Sequence, residues 1–188
     1  MPALLLAGPA SEPLTLAEAK AYLRVDHDAE DALITSMITA ARASVETLTR
    51  RALIDQTWRI VRNAWPASGL IPVPVSPLRT LDRAVRLDAT GAETELPLDA
   101  FALDTARLPG LIRVERGRVP SPERPLAGLA LDITAGHGPA ATDVPAPLIE
   151  AVRLVLAHFY EHRDETGASS AFPATLGALV APYRVTRL

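Results

Sequence analysis

The chain has 188 residues, of which 48% are hydrophobic and only 4% aromatic, and its formal net charge is −3. This length fits one substantial domain or a domain with an insertion. Because the sequence contains no cysteine, disulfide bonds, thiolate nucleophiles and cysteine-based metal sites are excluded. Residues 55–140 carry ten basic and ten acidic side chains, and no segment of the chain has the basic excess that is typical of phosphate binding.

The first residues contain the apolar run LLLA, which has no cationic stretch before it and is followed by Pro9. This pattern argues against a signal peptide. No apolar stretch approaches the roughly 20 residues that a membrane-spanning helix needs. We therefore expect a soluble protein.

Two helices are predicted near the N-terminus. Thr15 and Glu18 have the spacing of a capping box, which predicts a short helix over about residues 16–24. Asp28 is a second start signal. The apolar residues after it recur at three- and four-residue steps, which predicts a helix over about 29–50 with one apolar face.

The segment 55–140 contains short runs in which apolar and polar residues alternate, as they do in half-buried strands. The turn residues Asp88–Gly91 predict a hairpin. The prolines of the run IPVPV cannot donate hydrogen bonds to a neighbouring strand, so this run is predicted at a sheet edge. The segment therefore predicts a small antiparallel sheet or barrel. Its runs are TWRIV, IPVPV, AVRL, LIRVE and LALDIT.

A third helix is predicted over about residues 147–163, where apolar side chains cover a broad arc and indicate a central position in the core. The small-residue run TGASSAF predicts a linker after this helix. The last residues regain apolar character and predict a short helix that ends at Pro182, followed by an extended tail. We expect this tail to dock, on its own domain or on a neighbouring molecule.

The third helix ends in the run HFYEH, which has the H-x-x-E-H spacing of one class of zinc peptidase. A catalytic zinc site needs a third protein ligand and a general base in addition to the two histidines. No acidic residue follows Glu165, so the usual downstream ligand is missing. Histidines at the negative end of a helix dipole are the simpler interpretation of His158 and His162. Acidic residues upstream leave a zinc site open as an alternative.

No other catalytic constellation is present. The run at 134–138, TAGHG, lacks the lysine and the helix start of a phosphate-binding loop and is interpreted as a turn. Ser169 and Ser170 have no base at a fixed spacing. Arg50 and Arg51 could meet a phosphate or a partner's carboxylate, but a solvated helix end is the simpler interpretation. The sequence thus predicts no catalytic residue, no metal site and no cofactor.

The order of these segments resembles the head–tail connector (adaptor) proteins of tailed phages and gene transfer agents. The resemblance spans nearly the whole chain and is strongest at the two helical ends. It is carried by the runs PLTLAEAKAYLRVDHDAEDALI, TRRAL, QTWRI, LDATG, ITAGHG, VPAPLIEAVRLVLAHFYEHRD and LVAPYRV. It implies a non-enzymatic assembly protein in which HFYEHRD is the end of a core helix.

The resemblance also implies a ring, expected to contain twelve copies, beneath the portal in the particle neck, assembled in the bacterial cytoplasm. The implied partners are the portal protein and a neck (stopper) or tail-terminator protein. DNA would pass through the lumen without specific binding, and no membrane would take part. The terminal segment would engage the portal or neighbouring subunits. The residues of that segment that match the family are Leu179, Val180, Pro182, Tyr183, Arg184 and Val185.

Together these observations predict an α+β fold. It would consist of a helical bundle made by an N-terminal part (1–54) and a core helix (141–165), an inserted small antiparallel β region (55–140), and a linker with an extended docking tail (166–188). Three alternatives stay open: a tail-terminator or stopper protein, a zinc-dependent hydrolase through HFYEH, and a regulatory binding domain. Deleting residues 172–188 is expected to leave a folded monomer that does not join portals.

Overall fold

The structure is a computed structural model that describes residues 3–162 and 172–185. Within these ranges the chain forms four α-helices and eight strands, and the strands make two antiparallel sheets. The fold is therefore α+β, as predicted. No helix in the described part of the chain is both long and apolar enough to cross a bilayer.

The chain divides into two compact units. The β unit combines Met1–Gly8 with Asp55–Gly136, and the helical unit combines Pro9–Ile54 with His137–Leu188. Each unit buries an apolar core of its own.

The larger sheet of the β unit has five strands, each antiparallel to its neighbours. Its central strand is buried along almost its whole length, whereas the two edge strands are largely exposed. The strands, in spatial order, are β1 (Ala3–Ala7), β2 (Gln56–Arg62), β8 (Leu129–Ala135), β4 (Leu78–Leu87) and β5 (Glu93–Glu95).

The smaller sheet has three strands, which are β3 (Leu70–Pro72), β7 (Leu111–Val114) and β6 (Phe101–Asp104) in spatial order. The predicted edge position of IPVPV is confirmed, although only Leu70–Pro72 is a strand. The predicted hairpin is confirmed for β4 and β5. The Asp88 carboxylate orders its turn by accepting the backbone N–H groups of Thr90 and Ala92 at 2.8 and 2.9 Å.

Two strands were missed by the sequence interpretation, and the strands form two sheets where one was predicted. The run LLLA lies in β1, and β6 follows a short 3₁₀ turn, Leu98–Ala100. Both strands lie at sheet edges. Edge strands face solvent on more than one side, so the alternation that identifies a half-buried strand is weak there.

The helical unit contains α1 (Leu16–Leu23), α2 (Asp31–Thr49), α3 (Ala146–Glu161) and α4 (Ala174–Val180). The predicted capping box at α1 is confirmed. The Glu18 backbone N–H donates to the Thr15 hydroxyl at 3.2 Å, and the Glu18 carboxylate accepts the Thr15 backbone N–H at 2.9 Å. These two bonds satisfy donors that a helix start otherwise leaves unpaired.

The prediction that Asp28 starts the second helix is wrong. Helix α2 begins at Asp31 after Glu30, which makes no side-chain cap. Asp28 instead accepts a hydrogen bond from the Lys20 ammonium at 2.6 Å, and Lys20 also donates to Asp31 at 2.7 Å. The lysine therefore ties the end of α1 to the start of α2.

The core of the helical unit is built mainly by α2 and α3, each of which buries a stripe of apolar side chains. Each fully buried Val, Leu or Ile side chain contributes about 1.5–3 kcal/mol on burial. The core residues of these two helices are Ile34, Ile38, Ala41, Val45, Leu148, Ala151, Val152, Val155 and Leu156.

Candidate functional site

The two histidines of HFYEH close the C-terminal end of α3. His158 is buried, and its ring centroid lies 4.5 Å from that of His162 and 5.5 Å from that of Phe172. The backbone N–H of His162 donates to the His158 carbonyl at 3.1 Å. Within residues 3–162 and 172–185, no three His, Cys, Asp or Glu side chains are grouped to hold a metal ion. The pair thus packs a helix end among aromatic rings.

The glycine-rich run after β8 is a turn, as interpreted from the sequence. Gly136 has φ +152°, and a Cβ atom there would lie 2.6 Å from the backbone of Asp55. Its N–H donates to the Pro77 carbonyl at 3.0 Å. Glycine is required at this position by a close backbone approach, and no phosphate is needed to explain it.

The C-terminal segment packs on the helical unit. Leu176 and Val180 of α4 belong to the core of this unit, with 2% and 0% of their surface exposed. Val180, one of the six residues predicted to dock, is therefore covered by its own chain. The other five are half-buried Leu179, Tyr183 and Val185, and exposed Pro182 and Arg184. The predicted linker at 166–171 lies outside the described residues.

Arg51 holds the end of this segment. Its Nε donates to the Tyr183 carbonyl oxygen at 2.6 Å, and its guanidinium carbon lies 5.6 Å from the centroid of the Tyr183 ring. The Val185 backbone N–H donates to the Thr49 carbonyl at 3.1 Å. Burial lowers the pKa of Arg51. The interpretation of Arg51 as part of a solvated helix end is therefore wrong, whereas Arg50 is exposed and ends α2 at φ +58°.

One face of the five-stranded sheet carries ion pairs. Arg59 and Asp132 are direct partners on β2 and β8 and form two hydrogen bonds of 2.7 Å each. Arg83 pairs with Glu93 at 2.9 Å and with Glu95 at 3.1 Å. The carboxylates of Asp132, Glu93 and Glu95 balance the charges of both arginines. This face therefore has no excess positive charge that would attract a phosphate backbone.

Exposed apolar side chains are concentrated on β1. Leu4, Leu5 and Leu6 are 55%, 51% and 48% exposed, and β1 forms one edge of the five-stranded sheet. An exposed apolar edge strand is a template for pairing with another chain. The sequence signal for this surface is the run of three leucines, which lacks the alternation that predicts a half-buried strand.

Known proteins resemble this chain both in sequence and in fold. Residues 13–92 match the family described as phage gp6-like head–tail connector protein. No curated protein matches the chain. Three solved structures are similar over nearly all of both chains. The neck of an empty gene transfer agent (GTA) particle, computed with C6 symmetry, contains a chain with 31% identity and a TM-score of 0.83, covering 100% of this chain and 97% of that one.

The virion of a native GTA particle contains a chain with 30% identity and a TM-score of 0.84, again covering 100% of this chain and 97% of that one. The neck of a native GTA particle, computed with C12 symmetry, contains one with 29% identity and a TM-score of 0.73, covering 98% and 97%. The chain belongs to the phage gp6-like head–tail connector family and is a structural protein of a phage-like particle neck, not an enzyme.

Proposed function

We propose that twelve copies of this chain form a ring beneath the portal, which connects the DNA-filled head to the neck and tail and lets DNA pass. The observation that carries the proposal is the similarity, over nearly the whole chain, to chains of GTA necks that were computed with C6 and C12 symmetry. A twelve-fold ring is compatible with both symmetries. Assembly would take place in the bacterial cytoplasm, and the finished ring would lie in the particle neck.

The charge of the chain supports passage of DNA without specific binding. A protein that neutralises many phosphates binds DNA tightly and would hold the genome in place. The chain has a formal net charge of −3, and the arginines of one sheet face are paired with carboxylates. DNA in the lumen would therefore meet little attraction.

We assign docking on the portal or on a neighbouring subunit to the exposed part of the C-terminal segment. Pro182 and Arg184 are exposed, while α4 packs in the core and Arg51 holds Tyr183. The segment would thus present a short, preordered surface, which reduces the entropy lost on binding. Deletion of residues 172–188 is a poor test of this role, because it also removes Leu176 and Val180 from the core.

The molecule that this chain binds would distinguish a connector beneath the portal from a stopper or tail-terminator protein. Immobilised cognate portal rings and immobilised tail tubes would be incubated separately with the purified chain. The proposal predicts retention on portal rings, with a further neck component bound only after the chain is in place. Retention on tail tubes alone would identify a tail-terminator, and the portal assignment would then be abandoned.

A further inference from the structure

We propose that β1 of one copy pairs with β5 of the next copy, so that the five-stranded sheets join side by side around the ring. This inference deepens the ring assembly proposed above and rests on it. The two strands are the open edges of one sheet. In the described part of the chain, β1 pairs only with β2, and β5 only with β4.

The exposed leucines make the β1 edge a candidate surface for pairing with another copy. Leu4, Leu5 and Leu6 project to both sides of this edge and are each about half exposed. Protected edges carry charged residues or proline. The edges of the smaller sheet have such residues, since β3 contains Pro72 and β6 ends at Asp104. β1 has neither, because its sequence is ALLLA, and its one irregularity is a register shift against β2 between Leu5 and Ala7.

A ring requires two different, complementary faces on each copy. A pairing of β1 with β1 would join only two copies, whereas β1 with β5 continues from copy to copy. The β5 edge differs chemically from β1, because all three of its residues are exposed and two are glutamates. Arg83 pairs with both Glu93 and Glu95, and Arg59 lies 3.9 Å from Glu93, so both carboxylates of the edge that apolar β1 would meet are ion-paired.

Strand direction is compatible with this contact. Four antiparallel pairings separate β1 from β5, so both strands run the same way. A twelve-fold rotation turns each copy by only about 30° relative to the next, so it does not reverse the direction of β5 relative to β1 of the neighbouring copy. The seam would thus be a short parallel pairing at the boundary of two antiparallel sheets.

The strand pairings show which residues of the two edges lie on the same sheet face. Leu5 is paired with Trp58 on β2. Thr94 is paired with Arg86, which is aligned through Leu129 with Arg62 on β2. Trp58 and Arg62 are four residues apart on one strand and so share a sheet face. The middle residues of the two edges, Leu5 and Thr94, therefore lie on the same face.

The test uses the absence of cysteine from the chain. A variant with Leu5→Cys and Thr94→Cys would be assembled on cognate portal rings, oxidised, and separated by denaturing electrophoresis. The seam predicts a ladder of covalent oligomers that extends to the copy number of the ring. Each single variant, and the control pair Leu33→Cys with Thr94→Cys, should stay largely monomeric. Thermal unfolding curves would confirm that all variants fold.

The outcomes separate the seam from the ring. Rings without a ladder would overturn the β1–β5 seam and leave the ring proposal standing. Efficient covalent dimers from Leu5→Cys alone would indicate β1–β1 pairing and would also overturn it. If the wild-type chain forms no ring on portals, the proposed function fails and the seam fails with it. A second variant, Leu5→Lys, should fold but lose ring formation at least tenfold, whereas Leu33→Lys on α2 should not.

Discussion

Arg51 and Tyr183 are separated by 132 residues, yet the Arg51 side chain donates a 2.6 Å hydrogen bond to the Tyr183 carbonyl oxygen and lies over the Tyr183 ring. This contact links the end of α2 to the segment that follows α4. Neither residue stands out in the sequence. Together they place exposed Arg184 next to a fixed anchor, which is the arrangement expected of a preordered docking surface.

The first prediction concerns this anchor. Replacing Arg51 by alanine removes a charge-assisted hydrogen bond from a partly buried site and should lower the free energy of unfolding by about 1–3 kcal/mol. Hydrogen exchange of residues 174–185 should speed up by a larger factor than that of α2. Arg50→Ala is the matched control, because Arg50 is exposed. Equal exchange rates in the two variants would show that Arg51 does not hold the segment.

The second prediction separates docking from folding. Arg184 is exposed, so Arg184→Glu should leave the melting temperature unchanged while weakening binding to portal rings at least tenfold. Arg24→Glu reverses an exposed charge at the end of α1 and should bind as the wild type does. Binding would be measured by biolayer interferometry on immobilised portals. Unaltered binding of the Arg184 variant would remove this residue from the docking surface.

The third prediction concerns the β unit. Asp132 is largely buried on the central strand and forms two hydrogen bonds with Arg59. Asp132→Ala leaves the guanidinium without its main partner and should cost about 2–3 kcal/mol in urea unfolding. Glu115→Ala breaks an exposed pair with Arg118 and should cost no more than about 0.5 kcal/mol. Similar losses in both variants would mean that burial does not strengthen the Arg59–Asp132 pair.

The fourth prediction concerns pH. Burial, with a smaller contribution from the charge of Arg51, lowers the pKa of His137 below its usual value of 6.5. The unfolded chain therefore binds this proton more readily than the folded chain does. The stability that the neutral imidazole contributes is present above pH 6.5 and is lost as pH falls toward the lowered pKa.

His137→Gln should reduce this pH dependence. Between pH 7 and 5 the wild type should lose more free energy of unfolding than the variant does, as measured by the helical circular dichroism signal in urea. The comparison of the two slopes cancels the titration of the other groups. Identical slopes would show that His137 titrates alike in the folded and unfolded chains.

The sequence was most informative where one face of an element is buried and the other is solvated. The apolar spacing of α2 and α3 and the Thr15–Glu18 capping box predicted helices that the structure confirms. β1 could not be predicted in this way, because three successive exposed leucines have no period of two. Its partner β2 is more than 50 residues away in the sequence, so the pairing depends on tertiary structure.

The same limit applies to the interaction surfaces. The resemblance of the order of segments to connectors predicted the family, and it also predicted that HFYEH is a helix end. It did not indicate that Val180 is a core residue or that Arg51 reaches Tyr183. Both facts depend on the packing of the segment after α4 against the end of α2. No local sequence pattern predicts that packing.

Native mass spectrometry of the purified chain mixed with its cognate portal tests the central proposal most directly. We predict a complex in which one portal ring carries twelve copies of the chain, each with the mass of the metal-free polypeptide. A chain that remains monomeric in the presence of the portal, or that joins only tail components, would contradict the account.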